Sequence, residues 1–214
     1  VKRFAIAFAF VLGLVVPAVG ADVPPDQLVR ERTGKIIELL RANKDAYAKD
    51  HKKLYAMVNE QVLPYFDFRA MSRLVLGKHW REASEDQRNR FTAEFRDLLV
   101  RTYATALLKY TNEEVIYLPF RSSPGEKTVT VKTEVRQAGG GPNIPIYYSF
   151  YLSDASWKVF DVTLDGVSLI TTYRGTYAEK IKNDGMDALI ASMRKTEKED
   201  AIGKAREKKT GGAK

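Results

Sequence analysis

The periodicity of the apolar residues changes twice along this chain, and that change limits the folds open to it. Up to Tyr110 apolar side chains recur at three and four residues. From Val115 to Leu164 they recur at two, and from Tyr173 to Arg194 the three-and-four spacing returns. The first pattern buries one stripe of a helix and the second one face of a strand. The order helices, meander, helices specifies an α+β domain rather than a parallel α/β fold, whose strands would alternate with helices.

Local signals set the elements. Leu28, Val29, Ile36, Ile37, Leu39 and Leu40 predict an amphipathic helix over 28–41, and Leu54, Met57, Val58, Val62 and Tyr65 a second over 50–65, ended near Pro64. Asp67 is placed to cap a third helix over 68–76, with Gly77 as its stop. Ser84 and Gln87 form a capping box ahead of a long helix over 85–110, about 38 Å in length. Its stripe runs through Phe91, Phe95, Leu98, Leu99, Tyr103 and Leu107.

Strands are predicted over 115–120, 129–135, 146–152 and 157–164, with a short fifth over 167–170, then helices over 173–181 and 186–194. The expected architecture is a single domain: an antiparallel four- to five-stranded meander packed by N- and C-terminal helices. The long helix is expected to lie across one sheet face.

The ends are set apart. Val1-Lys2-Arg3, the apolar run Phe4 to Val16 and the small-residue exit to Ala21 have the layout of a secretory signal peptide, expected to be cleaved after Ala21. The run is short for a membrane span, which needs about 20 residues, so an uncleaved anchor is the lesser alternative. Residues 22–194 then form the folded domain, and 195–214, rich in Lys and Arg, a charged solvated tail. The net charge of +8 lies partly in these two ends. An exported protein meets no cytosolic nucleic acid, so the charge suits anionic lipid surfaces or acidic protein partners.

Chemistry-bearing residues are few. With 0 Cys there is no disulfide, thiolate nucleophile or Cys-ligated zinc, and with 2 His, His51 and His79, general bases are scarce. Gly139-Gly140-Gly141 lacks the lysine and the strand-to-helix setting of a phosphate loop and reads as a hairpin loop. Asp161 and Asp165 could form a glycosidase pair, but an Asp-Gly turn already explains Asp165. The aromatic side chains fall on the core stripes, where plain packing accounts for them.

Two segments bear a resemblance. The run Pro64-Tyr65-Phe66-Asp67-Phe68-Arg69-Ala70-Met71-Ser72-Arg73-Leu74-Val75-Leu76-Gly77-Lys78-His79-Trp80-Arg81 continues into Ala83-Ser84, Gln87-Arg88, Phe91, Glu94-Phe95, Leu98-Leu99, Thr102-Tyr103 and Tyr110. Later come Trp157-Lys158-Val159-Phe160-Asp161-Val162, Asp165-Gly166-Val167-Ser168-Leu169-Ile170 and Tyr173-Arg174. Together they resemble the MlaC family of periplasmic phospholipid-binding proteins, also called toluene-tolerance auxiliary proteins, over 28–193.

The resemblance implies a monomeric periplasmic shuttle with no enzymatic activity and no cofactor, carrying phospholipid as cargo. It implies two protein partners, an inner-membrane ABC transporter with a lipid-binding subunit and an outer-membrane lipoprotein–porin complex. It also implies an apolar lipid cavity between sheet and helices. On that basis the expected tail contacts are Phe68, Met71, Val75, Phe95, Leu99, Tyr103, Val131, Ile146, Tyr148 and Phe150, and the expected headgroup contacts Arg73, Arg81 and Arg174. The alternatives are an exported adaptor without lipid and, less favoured, an exported hydrolase.

Overall fold

The computed structural model describes residues 23–108, 113–137, 140–154 and 156–194. The expected signal peptide, the charged tail, Tyr110 and Gly139 lie outside the described residues.

Helix α1 (Pro25–Ala42) starts on a proline, whose missing N–H costs nothing in a first turn. Helices α2 (Lys44–Lys49) and α3 (His51–Gln61) are separated by Asp50, which caps α3 by accepting from the Lys52 N–H at 3.0 Å. The helix predicted over 50–65 therefore stops early. Pro64 cannot extend it, and the chain tightens into a 3-10 turn, Leu63–Tyr65.

Asp67 caps α4 (Phe68–Leu76) by accepting from Ala70 N–H at 2.8 Å, and Gly77 ends it at a φ of 55°. A short α5 (His79–Glu82) precedes α6 (Glu85–Leu107). The capping box at its start is complete: Gln87 N–H donates to Ser84 Oγ at 3.1 Å, and Ser84 N–H to Gln87 Oε1 at 3.0 Å.

The strands are β1 (Glu114–Tyr117), β2 (Thr128–Arg136), β3 (Ile144–Ser153), β4 (Ser156–Leu164) and β5 (Val167–Ser168). They form one antiparallel meander in sequence order. Asp165 and Gly166, at φ of 49° and 79°, make the left-handed two-residue turn that suits a twisted hairpin. The fifth strand is shorter than expected, because Ser168 turns the chain into α7 (Leu169–Asp184) by accepting from Thr171 N–H at 3.1 Å. A last helix, α8, occupies 186–194.

One architectural expectation is corrected: α6 does not lie across the sheet. Its apolar surface is divided. Phe91, Phe95 and Leu99 pack with α4, α5, α7 and α8, around Met71, Val75, Trp80, Tyr177 and Leu189. Val100 and Ala104, turned about 100° around the helix, pack with Leu40, Tyr47, Leu54, Met57 and Val58 from α1–α3. No apolar side remains for the strands. Instead Val29 of α1 packs on the sheet, in a third cluster with Val129, Val131, Phe150 and Val159.

Candidate functional site

The alternation of β2 points Val129, Val131, Thr133 and Val135 to one face of the sheet. Cross-strand pairing aligns them with Phe150, Tyr148, Ile146 and Ile144 of β3. Val115 and Tyr117 of β1 stand opposite Val135 and Thr133. On β4, Leu164 and Val162 pair with Ile146 and Tyr148, and a bulge at Ser149/Phe150 then brings Val159 opposite Phe150. Asp161 pairs with Ser149 on the other side, and the bulge skips Phe160, so that Val159 joins Val162 on this face.

This face is covered unevenly. Its end at Val129, Val131, Phe150 and Val159 is sealed by Val29. Val115, Tyr117, Ile144, Ile146, Tyr148, Val162 and Leu164 remain half-buried, an apolar floor that keeps access to solvent. Tyr148 shows this most directly. It retains accessible surface, yet burial pushes its hydroxyl up to about 12. Its hydroxyl approaches Thr133, whose Oγ1 donates to the Ile146 carbonyl at 2.9 Å.

Helix α1 runs over this floor and is tied to its surroundings on two sides. The Arg30 guanidinium lies 4.1 Å from the centre of the Tyr117 ring, whose hydroxyl approaches Thr33. Burial raises the pKa of that hydroxyl, and the Arg30 charge opposes the rise. On the other side Arg32 lies 5.1 Å from the Tyr65 ring centre. Between α1 and β1 opens a cleft of about 700 Å³, apolar at Ile37, Ala42, Val115 and Tyr117 and charged at its rim by Glu38, Arg41, Glu113 and Glu114. A second cleft of about 360 Å³ separates α1 from α3. Both volumes fall within the range of small-molecule sites.

The expected tail contacts divide between two of the three clusters. Phe68, Met71, Val75, Phe95, Leu99 and Tyr103 lie in the helical cluster of α4–α8, where Met71 and Phe95 are fully enclosed by protein. Val131, Tyr148 and Phe150 lie in the sheet cluster, and Ile146 extends the same face. Phe66 packs against both clusters. Its parallel bridge to Val159, with the Asp67 N–H donating to the Val159 carbonyl at 2.9 Å, sets α4 against the edge of β4.

The three expected headgroup arginines sit on α4, α5 and α7. Arg73 and Arg81 are exposed. Arg174 Nε donates to the Leu74 carbonyl at 2.9 Å, joining α7 to the end of α4. The helical stripes alone do not reveal Thr33, Ile37, Val115 and Tyr117 beside the open floor and the cleft, or Arg32 on the Tyr65 side of α1. Arg32 and Thr33 were visible as polar residues interrupting the stripe through Val29, Ile36 and Leu40, whereas Val115 and Tyr117 carried no mark beyond strand alternation.

The carboxylates and histidines are engaged locally. Asp161 accepts from Ser168 Oγ at 2.6 Å and from Ile170 N–H at 3.2 Å, so it holds the start of α7. His79 Nδ1 lies 2.8 Å from Glu82, and His51 packs near the Tyr55 ring. Among the described residues no group of three His, Asp or Glu side chains is placed to hold a metal ion, and no helix is long and apolar enough to cross a membrane.

The family model described as MlaC protein matches residues 30–195. Over 205 residues, 94% of this chain and 96% of the relative, the sequence is 25% identical to the intermembrane phospholipid transport system binding protein MlaC of Haemophilus influenzae. It is 28% identical over 170 residues to the toluene tolerance protein ttg2D of Pseudomonas putida, covering 79% of this chain and 78% of that one. The solved phospholipid-binding protein of Ralstonia solanacearum, in complex with a phospholipid, superposes with a TM-score of 0.73 at 26% identity, covering 79% of this chain and 94% of that one.

Proposed function

This chain belongs to the MlaC family, and on that premise we propose that it is a periplasmic phospholipid carrier of an Mla-type transport system. The observation that carries this reading is the half-buried apolar floor of the sheet, opening under α1 into the cleft of about 700 Å³. The phospholipid held by the Ralstonia relative supports it.

The physical requirement is large. At about 0.8 kcal/mol per buried methylene, two acyl chains of roughly 15 methylenes each are worth on the order of 20 kcal/mol. A carrier must keep nearly all of that surface from water. An apolar floor beneath a covering helix does so, while the headgroup stays hydrated at the rim. The same figure makes unaided extraction from a bilayer very slow. The carrier therefore docks on proteins that offer a continuous apolar path, here an inner-membrane ABC transporter's lipid-binding subunit and an outer-membrane lipoprotein–porin complex. Its role needs no cofactor and no bond-making step, since the lipid is cargo that leaves unchanged.

The test is direct. Protein purified from bacteria without delipidation, extracted with organic solvent, is expected to release phospholipid in stoichiometric amount by mass spectrometry. A protein that releases none overturns the proposal.

A further inference from the structure

A cation interrupts the inward stripe of α1. Val29 and Leu40 are buried on that side and Ile36 packs beside Leu40. Arg32 and Thr33 fall on the same side by helical spacing. Val29 belongs to the sheet cluster and Leu40 to the cluster of α1–α3 and α6, so Arg32 stands at the seam between the two. Beneath it is Tyr65, on the turn that leads from α3 to the β4 edge.

Arg32 is poorly satisfied by the protein. Its Nε is buried and meets no hydrogen-bond acceptor. Glu31 lies 4.0 Å from its terminal nitrogen, beyond hydrogen-bonding range. The side chain is 37% exposed, so the rest of the guanidinium reaches accessible space. A buried donor without a protein acceptor is destabilising unless water or a ligand supplies one. The planar fork of a guanidinium matches two oxygens of a phosphate, and a neighbouring ring fixes its position. Arg174, by contrast, already spends its Nε on the Leu74 carbonyl.

We propose that Arg32 binds the phosphodiester of the cargo lipid, with Tyr65 as its platform and the acyl chains running from that seam over the sheet floor. This assignment rests on the carrier reading above.

The experiment compares phosphatidylglycerol with diacylglycerol of the same acyl chains, each loaded by detergent exchange onto the full protein. Arg32→Gln is expected to weaken phosphatidylglycerol binding about tenfold, in line with a lost charge-assisted hydrogen bond, and to leave diacylglycerol binding unchanged. Arg32→Lys should recover part of the loss. Lys35→Gln removes the same charge from an exposed position on the same helix and should leave the preference intact. Inorganic phosphate at millimolar concentration should not displace the lipid.

Equal loss for both lipids in Arg32→Gln, no loss for either, an equal effect of Lys35→Gln, or displacement by phosphate alone would each overturn the Arg32 assignment while leaving the carrier reading in place. A wild-type protein that takes up neither lipid overturns the carrier reading and, with it, the assignment.

Discussion

Replacing Phe95 and Ile146 separately with alanine distinguishes a packed core from a lipid-facing wall. Phe95 is 0% exposed and sits among aromatic rings, with centroids at 5.7 Å to Phe91 and 5.2 Å to Tyr173. Truncating such a side chain removes its transfer free energy and leaves a cavity, about 3–5 kcal/mol in all. With a urea dependence of about 2–3 kcal/mol per molar for a domain of this size, the unfolding midpoint should fall by about 1.5 M. The protein that remains folded should hold its normal lipid content.

Ile146 faces the half-buried floor, so its truncation should cost only about 1–2 kcal/mol of stability. The three carbons removed, at about 0.8 kcal/mol each, bound the loss in lipid affinity at about 2.4 kcal/mol, some fiftyfold. The assays are urea unfolding followed by circular dichroism, and lipid phosphorus per mole of folded protein. If Phe95→Ala releases lipid with little loss of stability, the division between sealed helical cluster and open floor is wrong. The division fails equally if Ile146→Ala destabilises as strongly as Phe95→Ala and keeps its lipid.

Two further perturbations address the frame of the site. Ser84→Ala breaks the capping box of α6 and should cost about 1 kcal/mol, read as a lowered melting temperature; an unchanged melting temperature would remove the box from the account of α6. Tyr148 has a folded pKa raised from 10.0 to about 12 by burial, so its neutral form contributes stability that is fully present below pH 10 and lost as pH rises through 12. Wild-type protein should therefore lose more stability than Tyr148→Phe over that window in alkaline unfolding, and parallel curves for the two would refute the shift.

Much of the local structure was legible because its causes are local. Asp67 and Gly77 bound α4, Ser84 and Gln87 start α6, and Asp165-Gly166 turns β4 into β5, each through side-chain or backbone chemistry within a few residues. The early stop of α3 and the short fifth strand were less legible. In both places two local signals compete: Pro64 against a continuing apolar stripe, and the Ser168 cap against a continuing strand.

The site itself was legible only in part. Val131, Ile146, Tyr148 and Phe150 share one face by alternation, and pairing confirms that they do. Periodicity also marked Phe95 and Leu99 as inward, but an inward stripe does not state what it faces.

The sequence by itself thus determined the order of elements, their caps and turns, and which side of each is apolar, since these follow from neighbours in the chain. Tertiary structure alone decided that α6 divides its apolar surface between two helical clusters and that α1 covers the sheet. It also decided that α1 seals one end of the apolar face and leaves the other open. That choice depends on how side chains distant in sequence fill a shared volume, and on a single bulge in β4 that keeps Val159 and Val162 on the same floor.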